Sequence, residues 1–154
     1  MDIRLKRAYD HAARSDGPRI LVDRIWPRGV AKEDADIAHW LKGLAPSTEL
    51  RKWFGHDPDR WSGFRDRYFK ELKSDGAAED LDLFRQILKE HKRVTLVFAT
   101  KDTDHNNAVA LRDFALSDQL CGSPLSDLKQ LHLLAVELCS RRWFPFWESF
   151  CEQR

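Results

Sequence analysis

Residues 94–99 read Val94-Thr95-Leu96-Val97-Phe98-Ala99, and residues 100–107 read Thr100-Lys101-Asp102-Thr103-Asp104-His105-Asn106-Asn107. The first stretch carries no charge and is rich in β-branched residues, the pattern of a strand buried on both faces. The second is polar throughout, so the chain leaves the core abruptly at Thr100. Ala108-Val109-Ala110-Leu111 with Phe114 then reads as a helix, for which Asn106 or Asp104 supplies the cap. Buried strand, polar loop and helix in that order are the building unit of α/β folds.

Towards the N-terminus a second compact apolar run, Ile20-Leu21-Val22, ends at Asp23-Arg24 and reads as another central strand. Ile3 to Tyr9 alternates apolar and charged residues and reads as a half-exposed edge strand. Trp26-Pro27-Arg28-Gly29 breaks regular structure twice over. The pattern then turns helical. Asp34 caps a short helix carrying Ile37, Trp40 and Leu41, with Gly43 as its stop. Ser47 opens the next, with Leu50, Trp53 and Phe54 on one face and Gly55 as its end. Asp57-Pro58 restarts the chain as N-cap and first helical residue, ahead of the stripe Trp61, Phe64, Tyr68 and Leu72. Ser74-Asp75-Gly76 closes that helix, and Leu81, Phe84, Ile87 and Leu88 mark a fourth.

The expected fold is therefore α/β. Residues 1–120 form a single compact domain, with a small, at least partly parallel sheet flanked by helices. Ile20–Val22 and Val94–Phe98 are adjacent central strands in it, and Ile3–Tyr9 is peripheral. Cys121-Gly122-Ser123-Pro124 marks a boundary. Beyond it, residues 121–154 read as a helical extension. Leu125, Leu128, Leu131, Leu134 and Leu138 give its helix, followed by the aromatic run Trp143-Phe144-Pro145-Phe146-Trp147 and Phe150. That much apolar surface is expected to pack on the core or across a homodimer.

Composition bounds the function. The chain has 154 residues and a mass of 18.0 kDa, which suits one domain with its own core. No apolar run approaches the roughly 18 residues of a membrane span. Alternating charge at Met1-Asp2-Ile3-Arg4-Leu5-Lys6-Arg7 does not read as a secretory segment, and the expected compartment is the cytoplasm. The three cysteines, 121, 139 and 151, lack metal-site spacing and read as free thiols. The net charge of +1 and pI of 7.8 argue against a nucleic-acid-binding domain, for which pI exceeds about 9. Charge is nonetheless uneven, because residues 1–32 hold eight Lys or Arg against four Asp. That excess is either solvated surface or an anion-binding face.

Three blocks carry a family resemblance. They are Leu21-Val22-Asp23-Arg24-Ile25-Trp26-Pro27-Arg28-Gly29, the stretch Trp40-Leu41-Lys42 with Leu44-Ala45-Pro46-Ser47 through Gly55-His56-Asp57-Pro58, and Ala99-Thr100-Lys101-Asp102 followed by His105-Asn106-Asn107-Ala108. Over residues 2 to about 116 the chain resembles the YeaO-like bacterial proteins, a branch of the domain-of-unknown-function family 488. The resemblance implies a compact cytoplasmic α/β domain and brings no assigned activity with it. Related branches carry a Cys in the strand matching Val97-Phe98-Ala99. This chain has none there, so no thiol chemistry is implied.

Ligands of α/β sheets bind beyond the carboxyl ends of the strands. Two strand ends qualify, one delivering Asp23, Arg24 and Arg28 and the other Lys101, Asp102, His105 and Asn106. If the strands are parallel neighbours these groups converge. Arginine forks, a lysine and a helix N-terminus suit a phosphate or carboxylate. Arg24, Arg28, Lys101 and Asn106 are thus candidate ligand-binding residues, with Trp26 at the rim and Asp102 and His105 as candidate proton carriers. The structural alternative is that Asp23 pairs with Arg24, Arg28 clamps a loop and the His-Asn-Asn run caps a helix. His56 between Gly55 and Asp57 is a second candidate, as a general base or as filler of a tight turn. No His, Cys or carboxylate spacing points to a metal, and nothing singles out a cofactor. Trp40, Trp53 and Trp61 fall on apolar helical stripes and read as core.

The expected function is a small-molecule binding protein or enzyme acting on a phosphorylated or carboxylated ligand. The alternatives are a non-enzymatic interaction module and, third, a nucleic-acid-associated protein using the basic N-terminal face and Trp26.

Overall fold

Four parallel strands form one sheet in the order β1-β4-β2-β3. They are β1 (Asp2–Arg7), β2 (Arg19–Leu21), β3 (His39–Trp40) and β4 (Arg93–Phe98). The computed structural model describes residues 1–120. Helices α1 (Lys32–Ala35), α2 (Thr48–Phe54), α3 (Trp61–Leu72), α4 (Asp75–Glu90) and α5 (Asn107–Leu120) complete that part of the chain. The helix expected over Leu125–Leu138, the aromatic run after it, the cysteines and the packing of residues 121–154 lie outside the described residues.

Ile20–Val22 and Val94–Phe98 are adjacent at the centre, and β1 lies at an edge. Alternation in β4 distributes its residues between two cores. Val94, Leu96 and Phe98 join Ile20, Val22 and the apolar stripes of α2 to α5 in the larger one. Val97 and Leu21 face the smaller one, closed by Trp26, Val30, Ile37 and Trp40. Each fully buried Leu, Ile, Val or Phe contributes roughly 1.5–3 kcal/mol, so the sheet's centre is its most stable part.

The β1–β2 connection crosses β4, as parallel strands that skip a neighbour require. It passes close enough that Thr95 Oγ1 donates to the Asp16 carbonyl at 2.7 Å. Gly17 is forced there twice, by a φ of +67° and because a Cβ would collide with the Arg93 carbonyl oxygen.

One expected helix is absent. Residues 34–43 do not form a single helix. α1 stops at Ala35, where Asp36 turns left-handed at φ 48°. The chain then lies along the open edge of β2, with the Ala38 and Leu41 N–H groups donating to the Arg19 and Leu21 carbonyls at 2.9 and 3.0 Å. Unpaired strand acceptors outweigh the weak helical spacing of Ile37, Trp40 and Leu41. Trp40 and Leu41, neighbours in sequence, enter opposite cores, as residues of an extended chain must. Trp40 is therefore a strand residue, and its indole Nε1 donates to the Asp23 carbonyl at 2.7 Å.

The remaining helix signals match. The Ser47 hydroxyl accepts the Leu50 N–H, and Gly55 closes α2 in the left-handed conformation. Asp57 caps the 3-10 turn Pro58–Arg60, which runs directly into α3. Ser74-Asp75-Gly76 separates α3 from α4 by little more than Lys73 and Ser74, since α4 already begins at Asp75.

Candidate functional site

Because every strand is parallel, Tyr9, Asp23 and Ala99 follow the carboxyl ends of three neighbouring strands. A cavity of about 350 Å³ opens there, between these strand ends, the Arg24–Arg28 loop and the end of α2. Asp23 ties its floor together. Its Oδ2 accepts the Ala99 N–H at 2.8 Å and its Oδ1 accepts Asn107 Nδ2 at 3.2 Å. Asn107 Nδ2 also donates to the Val22 carbonyl at 2.9 Å, so β2, β4 and the start of α5 are locked to one another. Burial raises the Asp23 pKa, although the Ala99 N–H, Asn107 and the Arg51 charge pull it down.

The cationic wall is Arg24, Arg28 and Arg51, with His56 beside them. Arg24 and Arg28 are exposed and have no hydrogen-bond or ion-pair partner among the described residues. The Asp23–Arg24 pair of the structural alternative does not form, because Asp23 is engaged by Ala99 and Asn107. Arg28 is held between buried Pro27 and Gly29, which has a φ of +74°. Trp26 lines the cavity and is itself anchored. Its ring meets Trp40 edge-on at 5.4 Å and its Nε1 donates to the Val30 carbonyl at 2.8 Å.

Arg51 and His56 come from α2 and the turn after it. Phe54 stacks on Phe64 at 4.5 Å, and Phe64 on Trp61 at 5.6 Å, so the end of α2 is fixed by the aromatic stripe of α3. His56 follows Gly55 in a second left-handed conformation at φ 58° and packs against Phe54 at 5.7 Å. A non-glycine residue held left-handed costs on the order of 1 kcal/mol or more, which its surroundings must offset.

The β4–α5 loop divides its residues. Asn106 is buried and lines the cavity. Its Oδ1 accepts the Val109 N–H at 3.0 Å as the cap of α5, and its Nδ2 donates to the Asp102 carbonyl at 2.9 Å. Asp102 Oδ1 accepts the N–H groups of Asp104 and His105, both at 2.9 Å. Burial raises the Asp102 pKa, but those two N–H groups and the His105 and His56 charges outweigh it and leave it lowered. His105 lies edge-on to Trp61 at 5.3 Å, with Nδ1 3.7 Å from Asp102. Lys101 is exposed. Lys101, Asp102 and His105 are not among the residues lining the cavity, whereas Arg24, Trp26, Arg28 and Asn106 are. Tyr9, Arg51, Thr100 and Asn107 line it without having been singled out from the sequence, and His56, weighed as a separate candidate, joins the same wall. Among the described residues no cluster of His, Cys, Asp and Glu is arranged to hold a metal.

Comparison with known proteins agrees with the resemblance. Residues 2–124 match the family model described as the inactive DUF488-N3 subclade. The chain is 41% identical over 117 residues to the uncharacterised protein YeaO of Escherichia coli, covering 76% of this chain and 99% of that protein. It is 39% identical over 109 residues to the uncharacterised proteins Rv3073c of Mycobacterium tuberculosis and Mb3100c of Mycobacterium bovis, covering 71% of this chain and 89% of each. No solved structure matches it.

Proposed function

The chain belongs to the YeaO-like DUF488 proteins, in the subclade described as inactive, and on that premise we propose that it binds a small phosphorylated or carboxylated molecule without transforming it. The observation that carries this reading is the pair Arg24 and Arg28, exposed on a shared cavity without a carboxylate partner among the described residues. With Arg51 they give a local positive excess over Asp23, the one acid on the cavity wall among the described residues. Arginine forks favour carboxylate and phosphate oxygens, and the start of α5 adds the partial charge of a helix N-terminus.

Binding without catalysis is supported by the groups on the wall. Both Asp23 oxygens accept hydrogen bonds from the fold itself. Asp102 spends one carboxylate oxygen on its own loop, which makes Asp102 and His105 elements that shape the β4–α5 turn. Lys101 extends the positive field beside the cavity. The three unspaced cysteines support a cytoplasmic setting. No helix of the described residues is long and apolar enough to cross a membrane.

The test is calorimetric titration of the full chain with inorganic phosphate, with thermal melting in parallel. Binding that raises the melting temperature, and that disappears in the Arg24→Ala/Arg28→Ala double variant, is the expected result. Phosphate binding of equal strength in the double variant would overturn the assignment.

A further inference from the structure

We infer that the ligand of this cavity carries a planar aromatic or heteroaromatic ring next to its anionic group, and that Tyr9 is the residue on which the ring stacks. The inference rests on the anion-binding reading above and extends it to the ligand's class.

Five large apolar side chains stand exposed among the described residues: Met1, Tyr9, Ile25, Leu83 and Leu116. Two of them, Tyr9 at 49% exposure and Ile25 at 66%, line this one cavity. They come from different strand ends, Tyr9 after β1 and Ile25 in the loop after β2. A site that only had to hold a bare anion has no use for exposed apolar surface beside its arginines. A ligand with an apolar body covers it.

Among the described aromatic residues that line the cavity, Tyr9 alone combines an exposed ring with a cation over one face. The Arg7 guanidinium lies over its ring, 5.2 Å from the centroid, and Arg7 Nε donates to the Thr100 carbonyl at 3.1 Å. One face of the ring is thus braced by a cation that the loop after β4 holds in place, and a ligand ring stacks on the other. Trp26, the other large ring of the strand-end loops, is already committed to Trp40 and to the Val30 carbonyl. Phe54 and Phe64 are buried and stacked on each other, so they form a wall and offer no free face.

Size narrows the class. The cavity of about 350 Å³ lies at the small end of ligand pockets, which run from about 300 to 1,000 Å³. It has room for one ring system and one anionic group, and not for a dinucleotide. The fitting ligand is a monocyclic or bicyclic aryl or heteroaryl phosphate or carboxylate, its anion on Arg24, Arg28 and Arg51 and its ring on Tyr9.

Three probes separate the contributions: inorganic phosphate, cyclohexyl phosphate and phenyl phosphate, each titrated calorimetrically into the full chain. Phenyl phosphate is expected to bind about tenfold more tightly than inorganic phosphate, through burial of its ring. It is expected to bind about threefold more tightly than cyclohexyl phosphate, the size of a ring–ring contact. In Tyr9→Ala the preference for phenyl over cyclohexyl phosphate disappears while inorganic phosphate binds as before, and Tyr9→Phe retains it. Equal affinity for phenyl and inorganic phosphate overturns this inference and leaves the anion-binding reading standing. A preference that survives Tyr9→Ala overturns the assignment of Tyr9. Failure of all three probes to bind overturns both.

Discussion

Two regions of this molecule concentrate charge, and they treat it in opposite ways. In the β1–β2 crossover, Asp16 and Arg19 are almost fully buried and each is answered. Arg19 Nη1 reaches Asp16 at 2.8 Å, Arg19 Nε donates to the Ala35 carbonyl at 2.9 Å, and Lys6 Nζ lies 2.9 Å from both Asp16 oxygens. At the carboxyl end of the sheet, Arg24 and Arg28 are exposed and have no such answer among the described residues. The same residue type is architecture in one place and an offered binding group in the other. Partners and burial separate the two roles, and a count of basic residues does not.

The largest effect that could break this contrast is on folding. Asp16→Ala leaves Arg19 buried without its counter-charge, and we expect a loss of about 3–5 kcal/mol in chemical denaturation. A loss below about 1 kcal/mol would mean that the crossover network is dispensable. Arg28→Ala is the counterpart at the open end. It should change stability by no more than about 0.5 kcal/mol, as exposed substitutions do. It should weaken phosphate binding by about 1.5–3 kcal/mol, the range of a charged hydrogen bond. An Arg28→Ala protein that fails to fold would place this arginine in the same class as Arg19.

Acid titration sharpens the contrast further. Burial pushes the Asp16 carboxyl up, but hydrogen bonds from Lys6, the Ala13 N–H and Arg19 more than offset it and hold the pKa at about 2. A depressed carboxylate stabilises the fold above its unfolded value and loses that contribution as pH falls through the folded one. Roughly 2 kcal/mol should therefore vanish as pH drops from about 4 to 2, followed as the urea midpoint, and Asp16→Asn should lack this component. Asp23 runs the other way. Its raised pKa makes its contribution greatest below the ordinary carboxylate value, and lost as pH rises through the folded one.

Much of this architecture is legible in the residues themselves. Val94–Phe98 and Ile20–Val22 are apolar at successive positions because they face two cores, and the sheet places them side by side. Ser47, Gly55, Asp57 and Asn106 declare helix ends because caps act over three or four residues, the range a sequence displays best. The strand at His39–Trp40 was hidden because its reason lies in the open edge of β2, far away in the chain. The cavity was half legible for the same cause. Arg24, Arg28 and Asn106 follow strands directly, so topology alone puts them at one end. Arg51 reaches the cavity only because the stack of Phe54 on Phe64 sets the end of α2 there, and nothing local in Leu50-Arg51-Lys52 announces it. Lys101, Asp102 and His105 share the loop with Asn106 and miss the cavity lining, since Asn106 turns inward as a helix cap while Asp102 folds onto its own backbone.

The smallest expected effect tests whether the open end is tuned as well as charged. Among the described residues Asp23 is the single acid lining the cavity, within reach of the Arg51 charge. Its role in the fold is to accept the Ala99 N–H and Asn107 Nδ2, and an asparagine oxygen can still accept the first. Asp23→Asn therefore removes a negative charge from the cavity wall while keeping the bond that joins β2 to β4. The local field becomes more positive, and an anion held by Arg24, Arg28 and Arg51 should bind more tightly by on the order of 1 kcal/mol, roughly fivefold, as expected for unit charges several ångströms apart in a partly solvated site. Phosphate titration of both proteins at neutral pH measures this, and raising the salt concentration should shrink the gain. Unchanged or weaker binding in Asp23→Asn would mean that the anion sits away from the strand ends. It would then lie out among the exposed tips of the arginines, and the floor formed by Asp23, Ala99 and Asn107 would be architecture of the same kind as the crossover network.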